Sequence, residues 1–176
     1  MKKHFRYLRY ILRHKWFVLV ECWTRGLYWR GLVHDLSKFL PSEWFPYAEY
    51  FYGKRRETEF WDLQAKYGCA EAAPWGESVE DHFAMARLLH QRRNKHHWQY
   101  WLLHKDNWLL HKDSGSMFPL PMPQVYLVEM LCDWIGAGKA QGKPDTRAWY
   151  LTNRDRIILR EESRRWIERE LEIEEA

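Results

Sequence analysis

Apolar and polar positions recur with a helical period along most of the chain, and no run of period two is long enough to argue for a sheet. From about His4 to Trp23, Tyr7, Ile11, His14 and Val18 fall at i, i+4, i+7 and i+11, one stripe that closes near Gly26. A second helix is expected over Leu27 to Phe39, stopping before Pro41, and a third over Ser42 to about Tyr52 with Pro46 near its first turn. The charged stretch Lys54 to Glu59 leads into a fourth, ending at Gly68, and residues 68–77 read as a loop. Ser78, with Asp81 three positions on, forms a capping box ahead of a helix from Val79 to about His104, with a break near Asn94. Residues 112–123 are the longest turn-rich stretch, and Pro123 suits the first turn of a helix ending near Gly136 to Gly138. After Lys143, Pro144 and Asp145 comes a last helical region, bent near Asn153. No internal repeat is visible. The pattern predicts one all-α domain, a helical bundle over residues 1–176.

Composition changes this picture mainly through the aromatics. With 12 Trp, 10 Tyr and 8 Phe, 17% of the 176 residues are large rings, which can fill a core or line a slot for flat ligands. The net charge of +4 is too small to imply a nucleic-acid binder. Charge is uneven, however. Six Lys or Arg and no acid occupy the first 15 residues, while Glu dominates the last 16, giving a basic first helix and a charged last one. Both read as solvated faces. Cys22, Cys69 and Cys132 have no paired spacing, so neither a disulfide framework nor a cysteine zinc site is expected, and a reducing compartment is. The apolar run Trp16 to Val20, ended by Glu21, is too short for a signal peptide or a membrane span. A soluble cytoplasmic protein, with no membrane partner, is the expectation.

Three stripes carry candidate chemistry. His14 lies on the first. Leu27, Gly31, His34 and Lys38 share the second, with Asp35 beside them, and Tyr126, Met130, Asp133 and Ala137 share the third. A buried His–Asp pair followed within a turn by Lys is costly unless something compensates it, as a divalent cation would. Two imidazoles and two carboxylates (His14, His34, Asp35, Asp133) suit a divalent transition metal with positions open for water or substrate.

The ordered set H…HD…D, with HDLSK at 34–38, resembles the HD-domain metal-dependent phosphohydrolases. The runs HDLSKF, NKHHWQYW at 94–101 and EMLCDW at 129–134 are also similar to an uncharacterised phage and bacterial family of HD-like proteins, from about His14 to Tyr150. The resemblance implies one or two ions (Mn, Fe, Co, Ni or Zn, with Mg a further option) that activate a water against a phosphate ester. Lys38 would meet a phosphoryl oxygen, with Arg93 and Lys95 as further phosphate contacts. His90 and His97, which fall on one face with Asn94 and Trp101, would hold a second ion or touch phosphate; His96 would do so if the helix breaks. Glu43 reads as a base, an acceptor behind the ligands or an N-terminal helix acid, and Asn94 as a group orienting His90. Trp101 and its neighbours would stack a nucleobase, which makes a nucleotide or small phosphate ester the expected substrate. HD-type enzymes often dimerise, so the resemblance admits a homodimer. His4, His82, His104 and His111 read as structural or exposed, and Thr146 to Tyr150 receive no role. Two alternatives stand beside the enzyme: a metal-binding module without turnover, and, ranked last, a basic helical protein binding nucleic acid through its N-terminal arm and Arg92 to Lys95.

Overall fold

A computed structural model describes residues 2–68, 74–104 and 117–173, without the side chains of 55–58 and 60. Cys69, His111 and the start of the turn-rich stretch, residues 112–116, lie outside the described residues. The fold is all-α. In chain order its helices are α1 (Lys2–Thr24), α2 (Tyr28–Val33), α3 (Pro41–Tyr52), α4 (Arg55–Tyr67), α5 (Val79–Arg93), α6 (Gln124–Gln141), α7 (Thr146–Asn153) and α8 (Glu161–Glu170). Short 3₁₀ turns cover Leu36–Phe39, Trp98–Trp101 and Arg154–Arg156. The sheet among the described residues is one antiparallel pair, β1 (Leu102–His104) and β2 (Met117–Pro119), in the register Leu103 opposite Phe118. No described helix is long and apolar enough to cross a membrane.

The chain divides into two compact units. Met1–Arg13 with Asp35–Arg93 form the first; His14–His34 with Asn94–Ala176 form the second. The first unit packs Tyr7, Ile11 and Ala48 against Tyr10, Trp44, Tyr47 and Tyr52, and stacks Tyr50 on Phe83 at 3.9 Å between ring centroids. The second has an apolar core of Leu127, Met130, Leu131, Tyr150, Ile157 and Ile167, with Trp98, Trp101, Trp134 and Trp166 packed on it. Beside it Val18, Cys22 and Cys132 form a smaller cluster in which both cysteines are buried free thiols. Many of the rings are therefore core, the more economical use of so much aromatic area.

The capping box forms as expected: Asp81 N–H donates to Ser78 Oγ at 3.0 Å, and Ser78 N–H faces Asp81 Oδ2 at 3.4 Å. Three boundaries differ from the sequence pattern. The second helix stops at Val33, because His34 takes extended backbone and Asp35 a left-handed one, φ 53°. Asp tolerates that region better than most side chains, and Lys15 Nζ donates to the carbonyls of Leu32 and His34 that the break exposes. The helix from Val79 ends at Arg93, after which Asn94 opens a turn, its carbonyl accepting from His97 N–H at 3.1 Å. The helix after Pro123 runs past Gly136 to Gln141 and stops at Gly142, φ 75°, where no side-chain clash opposes the left-handed turn. Gly136 instead marks close packing: a Cβ there would lie 2.5 Å from Val18 Cγ2 and 2.9 Å from Val18 N.

Candidate metal centre

The second unit gathers three histidines around one carboxylate. His14 arrives from α1, on the stripe of Tyr7, Ile11 and Val18, all of them buried. His34 follows the last turn of α2, His96 lies in the turn after Asn94, and Asp133 projects from α6. Asp133 Oδ1 lies 3.1 Å from His14 Nε2 and 3.4 Å from His34 Nε2, and its Oδ2 lies 4.0 Å from His96 Nε2. One helical turn before Asp133, the buried Glu129 addresses the opposite side of two of these rings. Its Oε1 is 3.2 Å from His34 Nδ1 and 3.3 Å from His96 Nδ1, while Oε2 accepts from Arg30 Nε.

This arrangement sets the tautomers. A carboxylate offers only lone pairs, so His34 and His96 each meet Glu129 through an Nδ1–H. Their Nε2 lone pairs then face another carboxylate, which is repulsive unless a cation lies between. Either both rings carry a second proton, or a metal ion takes the lone pairs. The distances of His14 and His34 to Asp133 Oδ1 suit an ion: bonds of about 2.0–2.2 Å in a tetrahedral shell put neighbouring ligand atoms about 3.3–3.6 Å apart. Imidazole nitrogens beside a carboxylate oxygen suit zinc, iron, cobalt, nickel or manganese more than magnesium. Burial alone would neutralise Asp133, yet the adjoining His14 and His34 imidazoles hold its carboxyl well below the usual range. Burial likewise opposes charge on Glu129, and His34, His96 and Arg30 overcome it.

The first unit builds a chain of alternating charge. Asp35 Oδ2 pairs with Lys38 Nζ at 2.5 Å, and its Oδ1 lies 3.4 Å from His90 Nε2. On the other side of that ring, His90 Nδ1 is 2.8 Å from Glu43 Oε2, and Glu43 Oε1 accepts from Arg93 Nη1 at 2.6 Å. Ser37 Oγ donates to Glu43 at 2.9 Å. The fully buried Glu43, in the first turn of α3, would be raised by desolvation, but His90 and Arg93 hold it below its ordinary value. The neighbouring Tyr47 hydroxyl is pushed up to about 12, chiefly by burial.

A family model described as a family of unknown function, DUF5662, matches residues 3–173. The chain belongs to DUF5662. No curated protein and no solved structure matches it.

Within this DUF5662 chain the expected site residues are drawn from both units. His14, His34 and Asp133 come together in the second unit, where His96, rather than His97, joins them. His97 is half-buried beside His96, ring centroids 4.3 Å apart. Asp35, Lys38, Glu43, His90 and Arg93 come together in the first unit. The helix break after Arg93 voids the stripe that grouped His90 with Asn94, His97 and Trp101. His90 is oriented by Glu43 and Ser37. Trp101 donates its indole N–H to the Lys95 carbonyl at 2.8 Å and packs on Tyr126, as part of the core. Glu129 and Arg30 join the centre without having been among the expected site residues. The signal was present in Glu129 and Asp133 themselves, two acids at i and i+4 on one helix face.

Proposed function

We propose that this DUF5662 protein is a metal-dependent phosphohydrolase of the HD type, acting on a nucleotide or similar small phosphate ester. One observation carries the metal part: Glu129 turns the Nε2 atoms of His34 and His96 toward the Asp133 carboxylate that His14 also faces. Carboxylates that hold the far nitrogen of a ligand histidine are a recurrent feature of metal sites. When bound, a divalent ion there would lower the pKa of a water and polarise a phosphoryl oxygen. The phosphate part rests on the HDLSK motif, whose resemblance to the HD-type form implies Lys38 at a phosphoryl oxygen. The Lys38 ammonium, held by Asp35, supports that role because a positioned cation stabilises charge that develops on phosphorus oxygens.

The test is purification without chelator, elemental analysis of the protein, and a screen of nucleotides and generic phosphoesters with Mn, Fe, Co, Ni, Zn and Mg. The reading expects bound transition metal and turnover of at least one phosphoester. Metal without turnover on any ester would leave a binding module. Protein that takes up none of these metals would overturn the metal centre itself.

A further inference from the structure

The face of α1 opposite its buried stripe is unlike an ordinary solvated helix surface. Phe5, Leu12, Trp16 and Trp23 recur at i, i+7, i+11 and i+18, one straight row along the helix. They are 69%, 54%, 62% and 60% exposed. Lys2, Arg6, Arg9 and Arg13 run along one edge of this row, all of them exposed. The single acid of the helix, Glu21, is turned away and pairs with Lys139 and Arg25. Over 23 residues, about 35 Å of helix, the outward surface is therefore aromatic on one side, cationic on the other and free of acid.

From this juxtaposition we infer that α1 is a docking surface for an anionic lipid bilayer, lying in the plane of the headgroups. Rows of Trp, Phe and Leu beside Lys and Arg are what an interfacial helix needs, since rings enter the acyl boundary while cations meet lipid phosphates. Charge argues against a second copy of the chain, which would bring the same four cations against themselves with no acid to receive them. Nucleic acid would accept the cations and stack on tryptophan, but it gives Leu12 and the neighbouring exposed Val20 no apolar medium. Tyr7, Ile11 and Val18 on the opposite face are buried, so the row is presented without the helix having to leave its core.

Co-sedimentation of the full chain with phosphatidylcholine vesicles, with and without phosphatidylserine, tests this. Retention is expected on the phosphatidylserine vesicles alone and should fall as salt rises. Trp16→Ser with Trp23→Ser, and separately Lys2→Glu with Arg9→Glu, should each weaken partitioning about tenfold or more at unchanged helicity by circular dichroism. Absence of retention by the wild-type protein would overturn the inference, and so would retention that neither pair of substitutions weakens. A dimer in light scattering that Trp16→Ser and Trp23→Ser dissolve would assign the face to a second copy instead. Binding to single-stranded nucleic acid tighter than to any vesicle would also overturn it.

Discussion

Glu129 Oε1 lies 3.2 Å from His34 Nδ1, and this contact decides which nitrogen of His34 looks toward Asp133. The two residues are 95 positions apart in sequence. Removing the acceptor while keeping its shape isolates the effect. Glu129→Gln should leave His14, His34, His96 and Asp133 in place but weaken metal affinity about 10- to 100-fold, measured by competition with a chromogenic chelator. Affinity equal to wild type would show that Glu129 does not orient the ligands.

His96 and His97 offer a direct comparison between adjacent imidazoles. His96→Ala should lose bound metal, because its ring spans Glu129 and Asp133, whereas His97→Ala should retain it. Elemental analysis of both variants decides. The reverse outcome would return the role to the residue that the helical stripe favoured.

Lys38 separates phosphate handling from metal binding. Lys38→Ala should keep the metal stoichiometry of the wild type and lower turnover of a confirmed phosphoester by ~10²–10³-fold, the usual cost of one partner of developing charge. Loss of metal in this variant would mean that the Asp35–Lys38 pair supports the ligands rather than the substrate.

Glu43 makes a prediction about acid. Hydrogen bonds from His90 and Arg93 outweigh its burial and hold its folded pKa below the unfolded value, which is about 4.3. A carboxyl depressed in this way contributes stability that is fully present above the unfolded pKa and is lost as pH falls through the folded one. Urea midpoints measured between about pH 7 and pH 3 should therefore fall more steeply for wild type than for Glu43→Gln, which lacks that titration. Parallel curves would show that Glu43 gains nothing from its partners.

Gly136 should show an inverted propensity. In an open helix Gly→Ala stabilises by about 0.8–1 kcal/mol. Here the added Cβ would meet the side chain and backbone of Val18 within 3 Å, so Gly136→Ala should instead destabilise by roughly 1–3 kcal/mol. Thermal unfolding reads the sign.

Periodicity alone determined most of the helices, the Ser78–Asp81 cap, and the inward direction of His14 and Asp133, because a helix of constant pitch fixes which side chains share a face. His34 was found inward for a different reason than its stripe suggested. Where the backbone leaves the helix, at Asp35 and again at Asn94, phase can no longer be carried forward, so the stripe could not choose between His96 and His97, and it is the turn after Asn94 that buries His96. Gly136 looked like a helix end because a glycine's own sequence cannot distinguish a stop from close packing; Val18, 118 positions away, makes the difference. Local pattern names the face of each element. Only the folded chain brings Glu129 to two imidazoles and gives that face its chemistry.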